Sequence, residues 1–177
     1  MGSEMLVPFD TPEVIEVGAI TWLDNVGAPF EVRASRPADL GALMRFYHDF
    51  EPKRAAQGLP PAEPDRIARW LAGVLATGIH KLAFRQRQLI GHAFVTPTTR
   101  AGIGEYAVFL HQAERGLGIG TLLNRATVDA ARNRGLRGLW LTVEPQNRAA
   151  IRSYEKVGFR FVPSTAFSIE PEMELEL

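Results

Sequence analysis

The sequence predicts an α/β domain: a mixed sheet with helices packed on both of its faces. Three observations predict it. Runs with strand character alternate with runs of helical periodicity along most of the chain. A glycine-rich turn, Arg115-Gly116-Leu117-Gly118-Ile119-Gly120, joins an apolar strand to an amphipathic helix. With 177 residues and no cysteine, the chain can bury roughly 70% of its unfolded surface and needs no covalent staple.

Residues 1–29 carry Pro8, Pro12 and Pro29 around two short β-prone runs, Val14–Val17 and Ala19–Leu23. They are expected to form an N-terminal extension to a domain spanning 30–177. Phe30–Ala34 reads as a strand stopped by Ser35-Arg36-Pro37. Leu40, Leu43, Met44 and Tyr47 recur at helical spacing, with Asp39 near the N-cap. Glu51–Pro64 holds several prolines and reads as a loop. Asp65–Thr77 reads as a second helix, with Ile67, Leu71, Val74 and Leu75 on one side and Gly78 after its end.

Lys81–Arg85 and Leu89–Thr96 read as a hairpin about Gln86–Gln88, and Tyr106–Leu110 as a short apolar strand. The helix after the glycine turn buries Ile119, Leu122, Leu123, Ala126 and Ala130, and Gly135 ends it. Leu139–Val143 is a strand, and Asn147 caps a helix bearing Ala150, Ile151, Tyr154 and Val157. Gly158 suits the C′ position, which puts Phe159 at C″, packed back on Tyr154. Arg160–Val162 and Phe167–Leu177 read as closing strands. The expected order is βααβββαβαββ, which needs at least one parallel pair.

Composition excludes several function classes. Lys+Arg and Asp+Glu are both 20, so the net charge is zero. Nucleic-acid binders draw most of their affinity from a basic excess, which is missing here. The longest nearly apolar stretch, Trp70–Ile79, is far short of the ~20 residues that span a bilayer. The start of the chain lacks signal-peptide character, so a cytoplasmic location is expected. Without cysteine there is no thiol nucleophile, thiolate zinc site or iron–sulfur cluster. His48, His80 and His92 stand isolated in the sequence with no metal-ligand spacing, so no metal is expected.

A glycine-rich turn before a helix exposes backbone N–H groups at the positive end of the helix dipole, a setting for phosphate. The same letters also serve as a plain strand–helix connection. Two phosphate motifs fail outright. The dinucleotide fingerprint needs a third glycine where Thr121 or Leu123 stands, and the P-loop needs a lysine where none occurs between Lys81 and Lys156.

What the turn resembles is the acetyl-CoA signature of the GNAT superfamily of N-acetyltransferases, Arg/Gln-x-x-Gly-x-Gly/Ala, through Arg115, Gly118 and Gly120. A second stretch, Leu139–Asn147 followed by Tyr154 and Gly158-Phe159, is similar to that family's later strand, Asn-capped helix and Tyr-x-x-x-Gly-Phe ending. The resemblance covers roughly 30–177 and is strongest from Tyr106 to Phe161.

The resemblance implies a V-shaped splay between two central parallel strands, with acetyl-CoA in the cleft as co-substrate. Its pantetheine arm would hydrogen-bond the strand at Phe109, Leu110 and His111. Its pyrophosphate would sit on the backbone of Arg115, Gly116, Leu117, Gly118, Ile119, Gly120 and Thr121, with Asn147 near the arm. Arg152 and Lys156 either screen its phosphates or are solvated helix charges.

Tyr154 would be the general acid, although it also lies on the buried stripe of its helix as a core tyrosine would. Glu105 would be the base, or else a strand-end carboxylate; His111 is a second candidate base. The acceptor would be a small-molecule or peptide amine, attacked directly in a ternary complex and covered by the Glu51–Pro64 loop. Glu51, Lys53, Arg54 and Gln57 there either read a zwitterionic or carboxylate-bearing amine or belong to a solvated proline-rich loop. A homodimer is compatible, and nucleic acid and membrane are not expected partners. The alternative function is a non-catalytic acyl-CoA-binding or sensing module on the same scaffold.

Overall fold

In the computed structural model, which describes residues 18–54 and 58–177, eight strands form one sheet in the order β1-β2-β3-β4-β5-β6-β8-β7. The Val14–Val17 run and Gln57 lie outside the described residues. The strands are β1 (Ile20–Leu23), β2 (Pro29–Ala34), β3 (Ile79–Arg85), β4 (Gln88–Pro97), β5 (Ile103–Leu110), β6 (Gly138–Thr142), β7 (Arg160–Phe161) and β8 (Glu172–Glu176). The helices are α1 (Leu40–Asp49), α2 (Pro64–Leu75), α3 (Ile119–Asn133) and α4 (Arg148–Glu155).

The element order agrees with the sequence reading, with one strand added and one shortened. Ile20–Leu23, in the stretch expected to be an extension, pairs antiparallel with β2 and forms one edge of the sheet. The expected strand from Phe167 begins only at Glu172. Phe167 and Ile169 are almost fully exposed and lie within the turn-and-bend segment that brings β8 back between β6 and β7.

Side-chain alternation along the strands divides the core into two layers. On one face, Val32, Ala93, Val95, Tyr106 and Leu139 pack under α3 and α4 through Ile119, Leu123 and Tyr154. On the other, Leu82, Phe84, Phe94 and Phe109 pack under α1 and α2 through Leu43, Phe46, Tyr47 and Leu71. The β3–β4 connection is a two-residue turn in which Gln86 and Arg87 both have positive φ, 48° and 69°. That geometry usually calls for glycine or asparagine.

One pair of adjacent strands, β5 and β6, runs parallel, and it is joined only from Ile103↔Gly138 to Glu105↔Trp140. Beyond Glu105 the two part, β5 following β4 as far as Leu110 and β6 following β8 as far as Thr142. Glycines sit where the strands close. A Cβ on Gly104 would collide with Val95 and press on Leu136 and Leu139, and one on Gly138 would meet Ile103 and Leu175 at 3.0 Å. Past that point come bulky residues, Tyr106, Val108 and Leu110.

Candidate active site

The gap between β5 and β6 is the mouth of a cavity of about 590 Å³. Three elements converge on it: the free edge of β5, the glycine turn that opens α3, and one side of α4.

The turn is shaped by backbone geometry. Gly116 and Gly118 have φ of 80° and 81°, and Gly118 is the N-cap of α3. The first amides of α3 have no intrahelical acceptor and face the start of the helix dipole. At Gly118 a side chain is excluded twice, by φ and because a Cβ would lie 2.5 Å from Asn25 Oδ1. Gly120 differs: a Cβ there would meet only ordinary contacts, 3.8 Å from Ser153 Oγ and 3.9 Å from Leu110.

Asn25 was not anticipated. It lies in the β1–β2 turn, its backbone N–H donates to the Leu117 carbonyl at 2.9 Å, and it lines the cavity. The turn is rigid because the Asp24 carboxylate accepts from the amides of Val26 and Ala28 and pairs with Arg85 at 2.5 Å. Arg85 also faces Glu114 at 3.5 Å, just before the glycine turn. An Asp-Asn-x-Gly turn between two β-prone runs is a hairpin signal, but nothing in it says that the hairpin packs against residues so far along the chain.

The expected cofactor residues divide into two groups. Phe109, Leu110, Arg115, Gly116, Gly118, Gly120, Thr121 and Asn147 line the cavity. His111, Leu117 and Ile119 do not. The His111 N–H donates to the Ile90 carbonyl at 2.9 Å, and its Nδ1 accepts from Ala113 N, so its backbone donor is taken. Ile119 is core, and the Leu117 carbonyl is taken by Asn25. Asn147 caps α4 by accepting from Ala150 N at 3.2 Å, which leaves its amide nitrogen for other use. Arg115 turns away from the turn's own amides. It donates to the carbonyls of Leu110 and Glu51 and lies over the Phe50 ring.

Tyr154 and Glu105 both open into the cavity. Tyr154 is held by a helix end of the expected kind. Phe159 N donates to Tyr154 O and Gly158 N to Glu155 O, with Gly158 at φ 106° and the Tyr154 and Phe159 rings 5.8 Å apart. Burying Phe159 completely contributes roughly 1.5–3 kcal/mol to keeping that end closed. The Tyr154 ring also stands edge-on to Tyr106.

Beside these rings runs a partly buried polar chain. Tyr106 donates to Asn124 Oδ1 at 2.6 Å, Asn124 Nδ2 donates to Ser153 Oγ at 2.9 Å, and Ser153 meets Thr121 Oγ1 at 3.1 Å. It ties β5, α3 and α4 together around the cavity. Among the described residues neither the Tyr154 hydroxyl nor the Glu105 carboxylate has a hydrogen-bond or ion-pair partner in the protein. Burial pushes the Tyr154 hydroxyl above the ordinary phenol range. Partial desolvation likewise raises the Glu105 carboxyl above the usual glutamate value.

The remaining histidines are not isolated in space. His80 and His92 meet at 3.2 Å, and His92 in turn meets the Tyr47 hydroxyl at 2.7 Å. None of the three lines the cavity. Among the described residues no group of three or more His, Asp or Glu is placed to hold a metal ion, and no helix is long and apolar enough to cross a membrane.

The profile of the Acetyltransferase (GNAT) family matches residues 42–159. A mycothiol acetyltransferase of Streptosporangium roseum is 48% identical over 58 residues, which is 32% of this chain and 17% of that protein. The matches cover 17–26% of the length of the curated relatives. Among solved structures, the GNAT domain of S. lividans PAT superposes with a TM-score of 0.75 at 20% identity, over 90% of this chain and 97% of that one. A GNAT superfamily phosphinothricin acetyltransferase from Sinorhizobium meliloti in complex with AcCoA gives 0.66 at 20% identity, over 82% and 87%.

Proposed function

Because the chain belongs to the GNAT family of acetyltransferases, we propose that it transfers an acetyl group from acetyl-CoA to a primary amine by direct attack in a ternary complex. The observation that carries this reading is the meeting of three features in one cavity: an amide-rich glycine turn, and the Glu105 carboxylate and Tyr154 phenol, neither with a partner among the described residues.

The residues fit acetyl-CoA. The turn and the first amides of α3 suit a pyrophosphate. Among the described residues the β5 edge past Glu105 has no neighbouring strand, so its backbone groups, apart from the Leu110 carbonyl that Arg115 holds, are open to an extended amide-bearing arm. Asn25, Asn147 and Ser153 add side-chain hydrogen-bonding groups along the way. When bound, acetyl-CoA supplies an acetyl group activated as a thioester.

Glu105 holds the ammonium of the acceptor and takes the proton the amine must lose before it can bond to the acetyl carbon. Its raised pKa brings it nearer the working pH of a general base. Tyr154, kept protonated by burial, gives its proton to the sulfur as the carbon–sulfur bond breaks. The nitrogen, now bonded to the acetyl carbon, gives up its second proton through solvent to the Tyr154 phenolate, and Glu105 releases its own proton to solvent. We assign the base to Glu105 rather than to His111, because His111 accepts from Ala113 N through Nδ1 and does not line the cavity.

The experiment is release of free thiol from acetyl-CoA on addition of a panel of primary amines. Amine-dependent release supports acyl transfer. A rise in Tm with acetyl-CoA but no release with any amine would leave a binding module.

A further inference from the structure

We infer that the acceptor is a small monocationic amine on an apolar body that carries no carboxylate. This rests on the acyl-transfer reading of the cavity and adds the substrate class. The register of the sheet defines the acceptor end. Glu105, Ala107 and Phe109 alternate onto the face of β5 that carries α1 and α2, and Ala107 and Phe109 pack in that core layer. The pair Glu105↔Trp140 places Trp140 and Thr142 on the same face of β6. The glycine turn and α4 serve the opposite face, where Ile119 and Tyr154 are packed.

The two walls of this end differ in chemistry. The wall built by β5 and the segments flanking α1 and α2 is apolar: Phe50, Pro52, Leu59, Ala107 and Phe109 line the cavity. The wall built by the closed end of the V and the end of β6 offers Glu105, Thr142 and Glu144. One side can therefore bury hydrocarbon while the other places carboxylates around a cation.

The cations nearby are unavailable to an acceptor carboxylate. Arg115 spends its guanidinium on the carbonyls of Leu110 and Glu51 and on the Phe50 ring. Lys53 donates from Nζ to the carbonyls of His48 and Phe50, at 2.7 and 2.6 Å, and Arg54 pairs with Glu63 at 2.9 Å. Neither Lys53 nor Arg54 lines the cavity. The remaining lining cations, Arg152 on α4 and Lys156 at its C-terminal cap, stand across the V. A zwitterionic acceptor would thus set its carboxylate against Glu105 and Glu144, with no cation on that wall to offset the repulsion. A polyhydroxylated amine would bury hydroxyls against the apolar wall without partners.

The test is a matched set of acceptors at fixed acetyl-CoA: 2-phenylethylamine, phenylalanine, ethanolamine, glucosamine and a short peptide beginning with Phe. We expect kcat/KM for 2-phenylethylamine to exceed each of the others at least tenfold. Leu59→Ser should lower that value at least fivefold through KM and leave the acetyl-CoA-induced rise in Tm unchanged. Equal or better turnover of phenylalanine, ethanolamine, glucosamine or the peptide overturns the inference while leaving acyl transfer standing. No turnover of any amine, with the rise in Tm intact, overturns acyl transfer and the inference together.

Discussion

Arg115 donates a hydrogen bond from Nη2 to the backbone carbonyl of Glu51 at 2.6 Å. The two residues belong to different parts of the cavity, the glycine turn and the segment that follows α1. Gln112 strengthens the tie: its Oε1 accepts from Glu51 N and its Nε2 donates to the Asp49 carbonyl. The glycine-turn side of the cavity is thereby fastened to the side for which we propose the acceptor. Replacing Arg115 with Ala should raise the acceptor KM roughly tenfold, at least as much as it weakens acetyl-CoA, since a hydrogen bond from a charged donor contributes about 1.5–3 kcal/mol. Steady-state kinetics with each substrate varied in turn checks this; a loss confined to acetyl-CoA affinity would give Arg115 a phosphate role instead.

The two glycines of the turn should separate in experiment. Gly118→Ala forces a side chain into left-handed backbone, at about 1–2 kcal/mol, and against Asn25. It should lower Tm with no ligand present. Gly120→Ala meets only ordinary contacts within the protein, so Tm should hold while stabilisation by acetyl-CoA falls. Thermal melts with and without acetyl-CoA distinguish the two.

Tyr154→Phe keeps the ring, its edge contact with Tyr106 and its packing on Phe159. The hydroxyl it removes has no protein partner among the described residues, so stability should change little. As a general acid Tyr154 should contribute at the low end of the usual ~10²–10⁴-fold range, because a thiol already leaves well. A fall in kcat of at least ~10-fold with unchanged acetyl-CoA binding is expected. Full kcat combined with a lower Tm would make Tyr154 a core residue only.

The pH dependence of kcat/KM should carry a limb from Glu105. The base acts only when ionised, and desolvation raises its pKa above the ordinary 4.5. Activity should therefore fall as pH drops through a midpoint above that value. Glu105→Gln should lower kcat/KM and abolish the limb.

Stability should respond to the buried histidines. Burial lowers the pKa of His80 and, much more strongly, of His92 below 6.5. The unfolded chain then binds protons that the folded chain refuses, so stability is full above pH 6.5 and declines as pH falls below it toward the folded values. The hydrogen bonds agree with neutral rings. His80 Nε2 donates to the Thr77 carbonyl, which leaves Nδ1 to accept from His92 Nε2 and His92 Nδ1 to accept from Tyr47. His80→Gln should flatten part of the decline in Tm as pH falls below 6.5. An equally steep decline in the variant would place the effect on His92 or on the carboxylates.

What the sequence by itself determined is local. Period-two runs marked strands and 3.6-residue stripes marked helices, because each element buries one side of itself. The same short range revealed the Asn147 cap, the Gly158-Phe159 helix end and the glycine turn, since each is built from backbone geometry within a few residues. The tertiary structure alone decided which distant segments meet. It set Asn25 against Gly118, turned Arg115 toward Glu51 rather than into the turn, joined His80 to His92 and Tyr47, and withheld Lys53 and Arg54 from the cavity. Those outcomes follow from the packing of two layers on one twisted sheet. A side chain's partner across such layers depends on register and strand order, and neither is written in the periodicity of any single element.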